Sequence, residues 1–94
     1  MTRIMINRGA DRTLWFAWKS SDGKPIALAS TELFQVARGL EGRVSLVDTD
    51  LASGEFMLKL EGTEPLRPRS YDLWIQVFDL AGDSHTTKVE FHVQ

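Results

Sequence analysis

Cysteine is absent from this sequence of 94 residues. Its absence excludes a disulfide framework and thiolate zinc sites, and leaves the redox compartment open. Proline is scarce, three in all, and two of the three fall together at Pro65 and Pro68. Charge of one sign is also lacking. Eleven basic residues stand against thirteen acidic ones for a formal net charge of -2, so the bulk number carries no electrostatic footprint for nucleic acid. No segment approaches the length of a membrane helix, and the opening MTRIMINRGADR holds no apolar stretch of signal-peptide size. The chain is expected to be made and folded in the cytoplasm with no membrane partner. Its start at Met1 and its short ending at Gln94 lead us to expect a complete gene product.

What is present is ordinary for a globular chain, with 43% apolar and 26% charged residues. This length makes a single domain, expected over residues 1–94. At such a size folding buries roughly 60–65% of the surface that the unfolded chain exposes, leaving little chain for an elaborate active site.

Strand signals dominate. RIMIN alternates, with Ile4 and Ile6 on one side and Arg3, Met5 and Asn7 on the other. RTLWFAWK places Leu14, Phe16 and Trp18 together and Trp15 with Ala17 opposite. SSDGKP is a hairpin turn, because Asp22-Gly23 supplies a positive φ and Pro25 stops the ladder. Residues 30–42 fit either a helical turn capped by Ser30 or Thr31, or a strand running through Phe34, Val36 and Arg38. The β character of everything around them favours the strand. RVSLV and EFMLKLEG form a hairpin across DTDLASG, with Val44 and Leu46 facing Phe56, Leu58 and Leu60. TEPLRPR is a corner. YDLWIQVFD, the LAGD turn and TTKVEFHV make a last hairpin, in which Val89, Phe91 and Val93 point inward. About seven short strands separated by turns, with no convincing helix, predict an all-β immunoglobulin-like antiparallel β-sandwich, with a small barrel as the alternative.

Constellations that carry chemistry are few. His85 and His92 have no serine or cysteine motif placed to make a nucleophile, and Ser45, Ser70 and Ser84 lack one around them, so no catalytic residue is assigned. Asp48, Asp50 and Glu55 could ligate calcium, yet their spacing breaks the EF-hand rule and suits a turn. No metal or cofactor is expected. Arg38, Arg43, Arg67 and Arg69 could serve nucleic acid with Trp15 or Trp74 as stacking platforms, but the balanced charge argues for a solvated arginine corner, and no nucleic-acid partner is expected.

The aromatic residues carry more. Phe16, Trp18, Phe56, Tyr71 and Phe91 read as core, and Tyr71, entering its strand past a corner, is placed to hydrogen-bond back across it. Trp15, Trp74 and Phe78 fall on the opposite parity, with Met57 beside them. Either a bulge or the 30–42 segment covers them, or they form an exposed apolar patch of the kind that marks a partner site. The second reading is preferred, with Trp15, Trp74 and Phe78 as contact residues and Arg67 and Arg69 as polar rim. The first strand could add an exposed edge for pairing with another chain.

Several pieces also follow a family pattern. They are Arg8-Gly9-Ala10-Asp11, Asp22 to Leu28 (DGKPIAL), Gly54 to Leu60 (GEFMLKL), Thr63 to Leu66, Tyr71 to Asp79, Gly82 and Phe91-His92-Val93. In these the chain resembles small immunoglobulin-like proteins encoded among the tail and baseplate genes of bacteriophages and prophages, and is similar to the N-terminal domain class of phage baseplate upper proteins. It departs in the corner, where LRPRSY stands for an LPPGSY-like turn. The resemblance implies a non-enzymatic structural protein of a phage or prophage tail, located in the virion, with other phage structural proteins or further copies of itself as partners. The alternative from another class is a carbohydrate-binding module using Trp15 and Trp74 as platforms with Asp72 and Gln76 as hydrogen-bonding groups.

Overall fold

Alternating apolar residues and the turns between them give seven strands in the computed structural model, which describes residues 2–94. They are β1 (Thr2–Ile6), β2 (Arg12–Ala17), β3 (Leu28–Phe34), β4 (Val44–Asp50), β5 (Glu55–Leu60), β6 (Ser70–Asp79) and β7 (Ser84–Val93), with one 3-10 turn at Leu51–Ser53. Four strands form one sheet in the order β1-β7-β6-β3, and three form the other in the order β2-β5-β4. This division of strands is that of an immunoglobulin-like sandwich. The ladders are antiparallel except one: β1 joins the edge of β7 in the parallel sense, with Ile4 opposite Phe91.

The core lies between the sheets. Phe56, Leu58 and Leu60 from β5 meet Leu73, Ile75 and Val77 from β6 and Val89, Phe91 and Val93 from β7, all fully buried. Phe16 stacks on Phe56 with ring centroids 5.1 Å apart. Each such ring contributes roughly 2–3 kcal/mol on burial, a large share for a domain of this size. Phe16 and Trp18 pack against the core from its margin and remain partly exposed.

Residues 30–42 are neither one strand nor a helix. The strand begins earlier, at Leu28, and stops at Phe34. Gln35 then takes a left-handed backbone conformation (φ 53), which turns the chain out of the ladder. Val36 and Ala37 pack on the core, Leu40 is fully buried, and Arg38 sits in the turn that leads to β4. The predicted continuation of the strand through Val36 and Arg38 is therefore corrected.

Strand direction gives the sandwich two distinct ends, along a molecule of 40 × 21 × 20 Å. One end gathers the connections 7–11, 35–43 and 61–69; the other gathers 18–27, 51–54 and 80–83. The first end is fastened by two side chains. Tyr71 donates its hydroxyl to the Arg67 carbonyl at 3.0 Å, the tyrosine-corner bond. Thr63, fully buried, accepts from the Gly9 N–H at 2.8 Å and donates to the Ala10 carbonyl at 2.9 Å, tying the β1–β2 connection to the corner. The second end is locked at Gly54, which is left-handed (φ 73). A Cβ there would stand 2.6 Å from the Ile26 carbonyl oxygen and 2.7 Å from that of Trp18. That closeness lets the Trp18 N–H donate to the Gly54 carbonyl at 2.8 Å.

Candidate interaction surfaces

The residues of opposite parity line the two outer faces, and register decides which of them are neighbours. On the three-stranded sheet Trp15 of β2 and Val47 of β4 both stand opposite Met57 of β5. The result is an apolar row crossing the whole sheet. Trp15 is 70% exposed and Val47 36%, with Met57 half-buried between them. A polar row of Thr13, Lys59 and Ser45 flanks it on one side, and Glu55 with Asp50, beside Ala17, on the other. Met57 was expected beside the tryptophans; Val47 was not, although its parity, opposite to Leu46, pointed outward.

The four-stranded sheet carries Trp74 and Phe78 on its outer face. Trp74 lies between Lys88 of β7 and Phe34 of β3, in register with both, and the Lys88 ammonium stands 6.0 Å from its ring centroid. Phe78 lies between Ser84 and Ser30. Both rings are half-buried. Phe34, 40% exposed, belongs to this face and was missed because the sequence placed it on a longer strand with Val36 and Arg38. Of residues 30–42, weighed as the alternative cover for these aromatics, β3 lies beside them as the neighbouring strand.

Trp15 and Trp74 therefore do not share a patch. They belong to opposite outer faces, one on each sheet.

Part of the rest of the four-stranded face is internally paired. Arg3 binds Glu90 at 3.1 Å and Lys88 binds Asp72 at 3.4 Å, so the directly opposed carboxylates of Asp72 and Glu90 each have a cation. The other Asp72 oxygen, Oδ1, is buried without a hydrogen-bond partner among the described residues. Ser70 Oγ lies 3.0 Å from His92 Nδ1 as a direct cross-strand pair, and among the described residues no carboxylate orients that imidazole. His85 sits at the far end of β7, tilted against Trp18 at 5.8 Å, with Nε2 3.2 Å from Asp79 Oδ2. That hydrogen bond, with help from the Asp83 and Ala81 N–H groups, holds the Asp79 carboxyl below its ordinary value.

Asp48, one of the three acids weighed as cation ligands, accepts a hydrogen bond from Thr31 Oγ1 at 2.7 Å, linking the β3 and β4 edges of the two sheets. Among the described residues no group of three or more His, Cys, Asp or Glu side chains could hold a metal ion, and no helix is long and apolar enough to cross a membrane.

Arg67 and Arg69, from the corner, meet Arg38 and Arg43, from the 35–43 connection, around a cleft of about 280 Å³ with Leu66 and Tyr71 in its wall. Arg43 donates from Nε to the Gly39 carbonyl at 3.1 Å and from Nη1 to the Gly62 carbonyl at 2.6 Å. Arg69 lies 4.7 Å over the Tyr71 ring and reaches the Arg38 carbonyl at 3.3 Å. Among the described residues none of the four guanidiniums forms an ion pair. Sequence reasoning named all four but had no means of placing the two connections at one end. They are a cleft rather than the rim of the tryptophan faces.

Compared with family models and with curated proteins, the sequence matches none.

Proposed function

We propose that this chain is a non-enzymatic assembly module that acts by burying sheet surface against protein neighbours, as a structural component of a phage or prophage tail would. The observation that carries the reading is the Trp15–Met57–Val47 row, an uncovered apolar stripe across an entire sheet with polar rows on both sides. An apolar centre with a polar rim is the usual anatomy of a protein interface, and tryptophan is its most frequent anchor. The tail and baseplate context, and a place in the virion, rest on the resemblance in the DGKPIAL, GEFMLKL and YDLWIQVFD stretches. Trp74 and Phe78 contribute less, because Lys88 and β3 occupy much of the space around them.

A carbohydrate site would have to be built on one tryptophan. Asp72 and Gln76 flank Trp74 on its own strand, whereas Trp15 lies on the other sheet. Light scattering after size exclusion, over a concentration series at high salt, tests the choice. The wild type is expected to form a discrete oligomer that Trp15→Ala loses while keeping its β circular dichroism. A wild type that stays monomeric and binds glycans overturns the assembly reading in favour of the carbohydrate one. An oligomer indifferent to Trp15→Ala removes the three-stranded face from it.

A further inference from the structure

The charges of this nearly neutral chain are separated along its length. The end with the tyrosine corner carries Arg8, Arg12, Arg38, Arg43, Arg67 and Arg69 against four acids, Asp11, Glu41, Glu61 and Glu64. The opposite end carries Asp22, Asp48, Asp50, Glu55, Asp79 and Asp83 against two lysines, Lys19 and Lys24. Between them the charges balance, Arg3, Lys59 and Lys88 against Glu32, Asp72 and Glu90. The long axis of 40 Å therefore has a net positive end and a net negative end.

The two ends also differ in how their charges are held. At the positive end Arg38, Arg43, Arg67 and Arg69 line the 280 Å³ cleft, and the Glu41 carboxylate of the same end accepts from the Gly39 N–H at 2.7 Å. The guanidiniums of Arg38 and Arg67 make no hydrogen bond among the described residues, while Arg43 and Arg69 are held in place by backbone carbonyls. The free guanidiniums of Arg38 and Arg67 can receive carboxylates in bidentate fashion, beside Arg43 and Arg69, which the backbone holds in place. The negative end is built of the β4–β5 and β6–β7 turns beside the 18–27 connection. Among the described residues the carboxylates of Asp50 and Asp83 have no partner, Asp50 capping the 3-10 turn in position only.

We infer that the arginine cleft of one copy receives the acidic β4–β5 and β6–β7 turns of a second copy, joining the molecules head to tail. Such a contact is heterologous, so it closes into a ring or continues as a stack according to the rotation per step. The inference rests on the reading of the chain as an assembly module and adds a polarity to it. The sheet face anchored by Trp15 is apolar and tolerant of salt; the end-to-end contact is ionic and weakened by salt.

Sedimentation velocity on the Trp15→Ala protein separates the two, because the sheet-face contact is removed from the background. At about 20 mM salt this protein is expected to self-associate, with an affinity that falls at least about tenfold by about 300 mM. Arg38→Glu with Arg67→Glu makes both ends acidic, and Asp50→Lys with Asp83→Lys relieves the acidic end. Each double variant alone is expected to run as a monomer, and an equimolar mixture of the two is expected to co-sediment. Inorganic pyrophosphate is expected to disperse the parent at concentrations too low to act through ionic strength. A parent that stays monomeric at low salt overturns the inference, as does a double variant that associates like the parent or a mixture that fails to pair. Pyrophosphate bound by a protein that never self-associates overturns it too, and makes the cleft a site for small anions.

Discussion

The two outer faces are built from the same kinds of residue and end in different states. Each places a tryptophan on the parity that points away from the core. On the four-stranded face Trp74 has a lysine on one side, a phenylalanine on the other and a network of ion pairs below. On the three-stranded face Trp15 stands at an edge strand with one half-buried neighbour. The difference is made by register and by width. A strand inside a sheet has neighbours on both sides to lie over its side chains, and an edge strand has one. An outward aromatic becomes local structure in the first place and free surface in the second.

The largest expected effect breaks the three-stranded sheet at its anchor. Gly54→Ala puts a methyl group against two carbonyl oxygens and forces a left-handed backbone on alanine, so it should cost more than about 3 kcal/mol in urea unfolding, with the loss concentrated where β2 and β5 meet. A comparable loss from Gly23→Ala, where nothing lies within 4 Å of the added carbon, would show that φ rather than contact dominates. Next comes the comparison itself. Trp74→Ala should destabilise the fold by about 2 kcal/mol, because the ring packs under Lys88 and beside Phe34, whereas Trp15→Ala should cost less than about 1 kcal/mol. Equal losses from the two would erase the distinction between the faces.

Thr63→Val keeps the shape of a buried side chain and removes both of its hydrogen bonds, leaving the Gly9 N–H and the Ala10 carbonyl without it. About 1–2 kcal/mol should be lost, and amide exchange of Gly9 should accelerate more than that of the strands. The smallest effect lies at the far end of the four-stranded sheet. Because His85 holds the Asp79 carboxyl below its ordinary value, the folded state binds that proton less readily than the unfolded one. The stabilisation is present above the ordinary carboxylate range and is lost as pH falls through the depressed value. In an NMR titration Asp79 should be the late-protonating aspartate of its turn, and His85→Gln should move its midpoint upward.

Much of this architecture was legible. Parity within each strand was read correctly for β2, β5, β6 and β7, because alternation reports burial directly. The tyrosine corner followed from a tyrosine entering a strand after a proline-bearing turn. What alternation does not report is which sheet a strand joins. Trp15 and Trp74 share a parity and were read as one patch; their separation depends on β2 pairing with β5 and β6 with β3 and β7, which are contacts between distant parts of the chain. The same ignorance hid the arginine cleft, whose residues come from two connections with no local signal of proximity. The end of β3 was misread for a different reason: Gln35 adopts a conformation that glycine or asparagine usually marks, so nothing in its identity announced the break.

The parallel pairing of β1 with β7 has a consequence for the order of events during synthesis. Of the seven strands β1 is made first, and among the described residues its only sheet partner is the seventh. Until β7 emerges, Ile4 and Ile6 have no ladder to join, and the edge of the four-stranded sheet cannot be completed. The three-stranded sheet, by contrast, is closed once Leu60 is made. The domain is therefore expected to mature in two stages, with a half-built sandwich waiting on its own tail, and shortening the chain at β7 would strand the N-terminus as well.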